Sequence, residues 1–248
     1  MSQFAVIIPA AGKSSRFKNP QRKKPFMDLK GRPVWLRAAE PFANHDDVAQ
    51  TIIVVSPDDI EWFRDKYRPN LAFMNVVLVE GGKERADSVA NGLAHVKETV
   101  DYVAVHDAAR PLITKQAIDV VFSAAEKHGA AIPALPVSST VKRVKDDRIS
   151  ETVPREDLWL AQTPQVCKRE WLAEAFEKRG DFQPTDEAQL LERIGKRVAI
   201  VEGSPWNIKL TTAEDLRIAQ ALVDIVEKQK DSSILHPFAS DNPHWFSE

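Results

Sequence analysis

The feature that most constrains the fold is a repeated alternation of short apolar runs with helix-length segments. The runs have strand length and lie at Phe4–Ile8, Thr51–Val55, Val76–Val79, Tyr102–Val105, Ala130–Leu135 and Val198–Val201. Helix-length segments lie between them, at Pro57–Tyr67, Ala86–Val96, Lys115–His128 and Lys168–Lys178. This alternation is typical of βαβ units in an α/β protein. It predicts a mostly parallel sheet with helices on both faces.

A different pattern interrupts this alternation at Ser138–Leu158. Apolar and polar residues alternate on both sides of an Asp-Asp-Arg turn in "SSTVKRVKDDRISETVPREDL", which predicts a β-hairpin. Because the charged flanks of this hairpin would make a poor core, we expect it to project from the domain as an arm.

The chain is long enough for one α/β domain with a substantial core. It has 248 residues, of which 43% are hydrophobic and 28% charged, as in ordinary globular proteins. The last predicted helix has a clear start, since Thr212 and Asp215 form a capping-box pattern ahead of a periodic apolar face. After Lys228 the sequence becomes polar and contains prolines. We therefore predict a single domain over residues 1–228 and a flexible C-terminal tail over residues 229–248.

Charge and cysteine content restrict the partners and the compartment. The net charge is −2 and the positive charges are scattered, whereas a nucleic-acid-binding protein usually carries a basic face. The single cysteine, Cys167, cannot form an internal disulfide, which is typical of a reducing compartment. The sequence shows no secretory signal and no apolar stretch long enough to span a membrane. These features predict a cytoplasmic protein without a nucleic-acid or membrane partner.

The first candidate binding stretch is "VIIPAAGKSSRF", at the end of the first predicted strand. Its Gly-Lys-Ser resembles the end of a P-loop, but a P-loop requires a glycine five positions earlier, where Ile7 stands. What remains is a turn of small residues, Pro9, Ala10, Ala11 and Gly12, that would let a ligand approach the main chain. An ordinary strand-to-helix turn explains this stretch equally well.

Basic residues crowd the segment after this turn. They are Arg16, Lys18, Arg22, Lys23 and Lys24. A solvated basic loop is the usual explanation of such a run. Beside a turn with exposed amides, the same residues could instead form a clamp for a triphosphate.

Three further stretches follow later strands, where parallel sheets bind their ligands. In "EGGKERADSVANGL", Gly81-Gly82 allows the close approach of a flat ligand, and Ser88 offers a hydroxyl near a helix start. In "YVAVHDAARP", Asp107 follows a strand, and a carboxylate beside phosphates suits Mg²⁺. In "NIKLT", Lys209 reaches the same edge of the sheet.

The sequence also argues against several classes of site and of protein. His106 has no cysteine or histidine partners at metal-ligand spacing, which argues against zinc, and we expect it to be structural. The alternative for Asp107 is that it caps the turn that follows. Because the sequence lacks Gly-x-Ser-x-Gly, a Cys/His pair and GxGxxG, it does not favour a hydrolase or a dinucleotide-binding protein.

Taken together, "PAAGKSSRF", "GGKERADSV", "VHDAARP", "TPQ" and "NIKLT" resemble the 2-C-methyl-D-erythritol 4-phosphate cytidylyltransferases of the non-mevalonate isoprenoid pathway. The resemblance covers roughly residues 4–227, with the motifs in the family's order. It implies a Rossmann-like nucleotidyltransferase fold, CTP and Mg²⁺ as partners, and a homodimer built through the extended arm. It also implies transfer of CMP to methylerythritol phosphate, with 4-diphosphocytidyl-2-C-methyl-D-erythritol and pyrophosphate as products.

The resemblance assigns roles residue by residue. The positions that act on the reacting phosphates, or that hold the methylerythritol phosphate, are matched by Arg16, Lys24, Arg155 and Lys209. Other substrate-side positions are matched by Thr140, Asp107, Arg110 and Thr163, with Asp107 also the expected Mg²⁺ ligand. The cytidine pocket is matched by Pro9, Ala10, Ala11, Gly12, Gly82 and Ser88.

Three alternatives stay open at this point. The Arg16–Lys24 loop is one residue longer than is usual in the family, which leaves Lys23 a rival of Lys24. Ribitol-5-phosphate cytidylyltransferases share most of these motifs, so the acceptor is ambiguous. A rival of another class is a non-catalytic nucleotide-binding regulator on the same scaffold. The joint presence of Arg16, Lys24, Asp107 and Lys209 argues against that last alternative.

Overall fold

The computed structural model describes residues 2–12 and 23–235, with side chains as far as residue 227. Within these residues, an eight-stranded sheet forms the centre of the fold, and two short strand pairs lie outside it. The strands are β1 (Phe4–Pro9), β2 (Asp28–Leu29), β3 (Arg32–Pro33), β4 (Val48–Val55), β5 (Val76–Glu80), β6 (Tyr102–Val105), β7 (Ala130–Pro136), β8 (Val141–Lys145), β9 (Arg148–Val153), β10 (Trp159–Ala161), β11 (Gln165–Lys168) and β12 (Ala199–Glu202).

The large sheet is mostly parallel, as the sequence predicts. Its order is β10, β7, β11, β6, β1, β4 and β5, and β12 pairs with β7. β10 and β11 run antiparallel to their neighbours. The other strands pair in parallel. The parallel strands therefore end along the same edge of the sheet.

Helices cover both faces of this sheet, which confirms the predicted layering. They are α1 (Val34–Ala43), α2 (Ile60–Phe73), α3 (Arg85–Leu93), α4 (Lys115–His128), α5 (Arg169–Glu177), α6 (Glu187–Arg193) and α7 (Ala213–Leu235). α1, α2 and α4 pack on one face of the sheet, and α3, α5 and α6 pack on the other. α7 forms a smaller cluster with Leu29, Val34 and Leu210.

The central strands divide their side chains between the two faces. In β1, Phe4, Val6 and Ile8 belong to the core under α1, α2 and α4, and Ile7 belongs to the core under α3, α5 and α6. A strand buried on both faces is apolar at nearly every position. This is why the sequence predicts these strands from continuous apolar runs.

The sequence analysis missed several elements of the observed fold. β10 is exposed at all three positions, and β11 begins with Gln165 and ends with Lys168, so neither stands out as an apolar run. The short helix α6 and the helix α1, which contains Pro41, were also not predicted. The segment predicted as a helix from Pro57 begins with a short 3₁₀ turn, and α2 then continues to Phe73.

The predicted hairpin is present and stands apart from the large sheet. β8 and β9 pair only with each other within the described residues. Asp146 and Asp147 connect them with φ of 51° and 57°, the left-handed geometry of a two-residue type I′ turn. Most side chains of the two strands are exposed. This hairpin, residues 138–158, is called the arm below.

The C-terminal helix begins as predicted and ends later than predicted. Thr212 and Asp215 cap it reciprocally: the Thr212 amide donates to Asp215 Oδ2 at 2.7 Å, and the Asp215 amide donates to Thr212 Oγ1 at 3.2 Å. The helix continues to Leu235, past the expected start of the tail. The rest of the expected tail, residues 236–248, lies outside the described residues. None of the described helices is long and apolar enough to cross a membrane.

Candidate active site

A cavity of about 670 Å³ opens at the carboxyl edge of the parallel strands. Its walls come from the loops that follow β1, β4, β5 and β6, and from the segment just before α7. This is the edge where ligands of open α/β sheets bind. The cavity therefore brings together the four separate stretches that the sequence marks as candidates.

The turn after β1 and the two glycines after β5 form one wall of the cavity. The Ala10 amide donates to the Val54 carbonyl at 2.7 Å, and the Gly81 amide donates to the Val55 carbonyl at 2.8 Å. A Cβ on Gly81 would lie 2.6 Å from Ala11 Cβ, and one on Gly82 would lie 2.4 Å from the Cβ of Asp87. Both positions therefore require glycine, and the wall presents main chain to the cavity.

Ser88 holds this wall in shape. Its Oγ accepts a hydrogen bond from the Gly82 amide at 3.1 Å and donates one to the Glu84 carbonyl at 3.1 Å. The side chain lies at the first turns of α3 and is buried. In this structure the hydroxyl organises the glycine loop, and its predicted contact with a nucleotide stays a prediction.

Asp107 and Lys209 meet at the floor of the cavity. Lys209 Nζ lies 2.7 Å from Asp107 Oδ2. Asp107 Oδ1 lies 3.4 Å from the Nη2 of Arg85, and Oδ2 lies 3.9 Å from the Nε of Arg110. The sequence predicts that the first two residues share an edge, and the structure adds two arginines beside the same carboxylate.

The charges around Asp107 keep it ionised. Burial acts to raise the pKa of the Asp107 carboxyl, but Arg85, Lys209 and Arg110 outweigh burial and hold that pKa well below its usual range. Lys209 is 43% exposed, so its ammonium group can reach the cavity while it stays paired. The floor thus offers a fixed carboxylate and an accessible cation.

A neutral hydrogen-bonded layer supports the floor from below. His106 is fully buried, and its Nε2 lies 3.0 Å from the Arg110 carbonyl. Burial lowers the pKa of His106 to about 4, so the imidazole is neutral near pH 7. Thr163 Oγ1 accepts the Asp107 amide at 3.1 Å and lies 3.2 Å from His106 Nδ1. His106 therefore has the structural role expected from the sequence.

Arg110 and Thr163 help to connect the two segments that form the cavity floor. Arg110 Nη1 donates to the Asn207 carbonyl at 2.6 Å, and Asn207 Nδ2 donates to the Thr163 carbonyl at 2.8 Å. Neither Arg110 nor Thr163 lines the cavity. They tie the strand that carries Asp107 to the segment that carries Lys209.

The lysines Lys23 and Lys24 both line this cavity as well. Lys23 Nζ lies 2.5 Å from the Oδ2 of Asp59, so a carboxylate already neutralises its charge. Lys24 begins a short 3₁₀ turn in which Pro25 and Phe26 are buried. The preference for Lys24 over Lys23 as the contact of an anion therefore stays a prediction. Arg16, also predicted to meet the phosphates, lies outside the described residues, as do the basic residues 18 and 22.

The two candidate residues of the arm lie apart from the cavity of their own chain. Thr140 and Arg155 are exposed and do not line it. Arg155 donates a hydrogen bond to the Ser138 carbonyl across the base of the arm. The structure therefore does not bring Thr140 and Arg155 together with Asp107 and Lys209 within one chain.

Sequence reasoning missed two charged residues beside the floor, Arg85 and Glu187. Arg85 stands inside the quoted motif "GGKERADSV", but its partner could not be read from that motif. Arg85 Nη1 lies 2.7 Å from the Oε1 of Glu187, which is 102 positions later in the chain. Nothing in the sequence around Glu187 distinguishes it from an exposed residue of a first helical turn.

Comparisons with known proteins agree on one family. A protein-family model described as 2-C-methyl-D-erythritol 4-phosphate cytidylyltransferase matches residues 4–225. Over 226 residues the chain is 42% identical to the protein of that name from Bacillus velezensis, covering 89% of this chain and 96% of that protein. A relative from Desulfotalea psychrophila named bifunctional enzyme IspD/IspF is 40% identical over 223 residues. The alignment covers 89% of this chain and 56% of that longer protein.

Solved structures give the same result. A crystal structure of 4-diphosphocytidyl-2C-methyl-D-erythritol synthase matches with a TM-score of 0.77 at 33% identity, covering 90% of this chain and 99% of that chain. The 2-C-methyl-D-erythritol 4-phosphate cytidylyltransferase from Thermus thermophilus matches with a TM-score of 0.73 at 32% identity, covering 90% of this chain and 98% of that chain.

Proposed function

This chain belongs to the 2-C-methyl-D-erythritol 4-phosphate cytidylyltransferase family, and we propose that it transfers the CMP group of CTP to 2-C-methyl-D-erythritol 4-phosphate. The products are 4-diphosphocytidyl-2-C-methyl-D-erythritol, an isoprenoid precursor, and pyrophosphate. The observation that carries the proposal is the Asp107–Lys209 pair at the floor of a cavity walled by a small-residue turn and a glycine pair.

The cavity wall suits the base and ribose of the nucleotide. Ala11 and Gly81 pack so closely that an added methyl group would clash, so the turn after β1 and the glycine pair form one continuous wall. Exposed amides and carbonyls are then available to read the edge of a pyrimidine. We expect CTP to be used in strong preference to UTP and ATP.

The chemistry is a direct displacement. A phosphate oxygen of the acceptor bonds to the α-phosphorus of CTP, the bond from that phosphorus to the bridging oxygen of the β-phosphate breaks, and pyrophosphate leaves. Because two polyanions must meet, the protein's task is to align them and neutralise their charge. Lys24 and Lys209 both line the cavity and are suited to that task, together with the predicted Arg16.

The site also fits a divalent cation held mainly by the nucleotide. No group of three or more acidic, histidine or cysteine side chains able to hold a metal occurs in the described part of the chain. Mg²⁺ is commonly bound through one or two carboxylates plus substrate phosphates, and Asp107 is a fully ionised carboxylate at the cavity floor. Asp107 would hold Mg²⁺, which would neutralise phosphate charge.

The arm supports a homodimer in which each arm completes the partner's acceptor site. Val144 and Ile149 face each other across the arm and are 58% and 65% exposed. The adjoining edge strand β10 adds exposed Trp159 and Leu160. A hairpin of two strands is at best marginally stable alone, so this apolar surface indicates a second protein surface. In such a dimer, Thr140 and Arg155 could reach an acceptor that their own chain's cavity does not offer them.

The test is pyrophosphate release from CTP with purified protein and each polyol phosphate in turn. Release with 2-C-methyl-D-erythritol 4-phosphate that depends on divalent cation supports the proposal. Equal release from CTP and ATP would contradict the nucleotide assignment. Faster release with ribitol 5-phosphate would identify the rival cytidylyltransferase. Binding of CTP without turnover of either acceptor would favour a regulator.

A further inference from the structure

Glu187 is a buried carboxylate beneath the cavity floor. It is 2% exposed, and it does not line the cavity. Its carboxylate instead contacts Arg85, which does line the cavity. Arg85 therefore links Glu187 to the cavity.

Gln165 fixes the position of Glu187 from both sides. The side chain of Gln165, on β11, accepts a hydrogen bond from the Ala188 amide at 2.9 Å and donates one to Asp186 Oδ2 at 3.0 Å. Asp186 in turn caps α6 by accepting the Gln189 amide at 2.9 Å. Glu187 lies between the two residues that Gln165 holds, so its backbone is anchored to the central sheet.

Arg85 is held by Glu187 in a two-pronged contact. Its Nη1 and Nη2 lie 2.7 Å and 3.0 Å from the two carboxylate oxygens of Glu187. Such a pairing fixes the plane of the guanidinium group. The Nε and Nη2 atoms then both face Asp107 Oδ1, each at 3.4 Å. Arg85 thus contacts one oxygen of Asp107 while Lys209 binds the other.

Stability alone does not account for this arrangement. A buried ion pair is a weak source of stability, because taking both charges out of water offsets most of their attraction. Apolar packing already holds the two helices concerned, through Val89 on α3 and Leu190 on α6. The 3.4 Å separation between Arg85 and Asp107 is also long for a charge-assisted hydrogen bond. The contacts of Arg85 are therefore short to Glu187 and long to Asp107.

We propose that Glu187 is a positioning residue for the transfer reaction, because it restrains Arg85 and so leaves Asp107 to hold Lys209. Without the Glu187 charge, Arg85 moves onto Asp107 and competes with Lys209 for the same carboxylate. Lys209 then loses its fixed position in front of the acceptor phosphate. The expected change in the kinetics rests on the proposed function. The expected movement of Arg85 and release of Lys209 do not.

The kinetic test is a double-mutant cycle between Glu187 and Lys209. Their effects on kcat/KM should be non-additive if Glu187 acts on Lys209 through Arg85 and Asp107. We expect Glu187→Gln to raise KM for the acceptor about tenfold, on the scale of lost supporting contacts around a site, with KM for CTP little changed. Lys209→Ala should lower kcat/KM about 10²-fold. The double variant should then be no worse than Lys209→Ala alone. Losses that multiply to about 10³-fold would overturn the proposal.

A second readout needs no substrate. We expect limited acetylation, followed by mass spectrometry, to label Lys209 several-fold faster in Glu187→Gln than in the wild type, because Asp107 no longer holds its ammonium group as firmly. Unchanged labelling of Lys209 would overturn the proposal even if the enzyme is active. Faster labelling in a protein that transfers no CMP would support the positioning role and refute the proposed reaction instead.

The matched control is Arg37→Lys. Arg37 is mostly buried and pairs with Glu227 at 2.8 Å, between α1 and α7, away from the cavity lining. The variant disturbs a partly buried ion pair without touching the floor. It should leave both the acceptor KM and the labelling of Lys209 unchanged, and it should not add to the loss of kcat/KM that Lys209→Ala causes. A response equal to that of Glu187→Gln would show that any lost ion pair has this effect, and would overturn the proposal.

Discussion

The cavity floor and the arm carry predicted site residues in opposite physical settings. At the floor, Asp107 is buried, its carboxylate binds Lys209 and its amide donates to Thr163, both of which are distant in the chain. In the arm, Thr140 and Arg155 are exposed, and the cross-strand contacts, such as Arg143 with Glu151, stay within the arm.

This difference indicates how the work of the site is divided. A charged group that must keep one position is built into the sheet, where neighbours from several segments of the chain fix it. In the proposed dimer, a group that is supplied to the partner chain lies on an element with little attachment to its own core. The exposed apolar pair Val144 and Ile149 would be buried in such a dimer.

The largest expected effect concerns the lysines beside the floor. Lys24→Ala should lower turnover by about 10²-fold or more with the fold intact, as expected for the loss of a group that stabilises the transition state. Lys23→Ala should change turnover by less than about tenfold, because Asp59 already neutralises Lys23 and solvent screens its charge.

Steady-state kinetics of the two single variants, with circular dichroism as a check on folding, measures this contrast. The reverse order would mean that the extra residue of the loop follows the lysine. Large losses at both positions would mean that both lysines contact the phosphates.

The next prediction concerns the pH dependence of stability, to which the cavity floor should contribute and the arm should not. Burial lowers the pKa of His106 to about 4 from its ordinary value of 6.5, so between these pH values the unfolded chain binds a proton that the folded chain excludes. The contribution of this group to the free energy of unfolding should therefore be fully present above pH 6.5. It should fall as pH is lowered toward 4, by about 3 kcal/mol in all.

Urea titrations at pH 7 and pH 4.5 measure this loss. In His106→Gln, which cannot take up the proton, the difference between the two pH values should shrink by most of that amount. An equal pH dependence in the variant would assign the loss to other groups. Variants of the arm should show the wild-type pH dependence.

The smallest effect is on association through the arm. Replacing both Val144 and Ile149 with threonine should raise the dissociation constant of the dimer by roughly tenfold, because less apolar surface is buried when the chains meet. Thermal unfolding of each chain should hardly change, since both side chains are exposed in the single chain. Analytical ultracentrifugation over a dilution series measures the change, and an unaltered dissociation constant would exclude this face of the arm from the interface.

Much of the fold could be predicted because burial on both faces leaves a clear pattern. Tyr102–Val105 and Lys115–His128 have the predicted bounds. The antiparallel strands β10 and β11 were missed because β10 is exposed at all its positions and β11 begins and ends with a polar residue. Their direction is set by pairing with β6 and β7, which local sequence does not encode.

The candidate site could likewise be predicted only in part. Asp107 and Lys209 could be predicted to lie close together because both follow strands that end at one edge. The role of Glu187 could not, because it depends on a side-chain contact between α6 and α3. The setting of Arg155 could be anticipated only from the family resemblance, since its proposed contact lies in a second chain.

In the proposed dimer, the acceptor site is shared between the floor of one chain and the arm of its partner. Subunit mixing distinguishes this arrangement from a site within a single chain. Lys209→Ala and Arg155→Ala should each be nearly inactive alone. After verified subunit exchange of an equal mixture, half of the dimers are hybrids with one intact site of two, so about a quarter of wild-type activity should return. No recovery would place Arg155 in the site of its own chain and contradict the account.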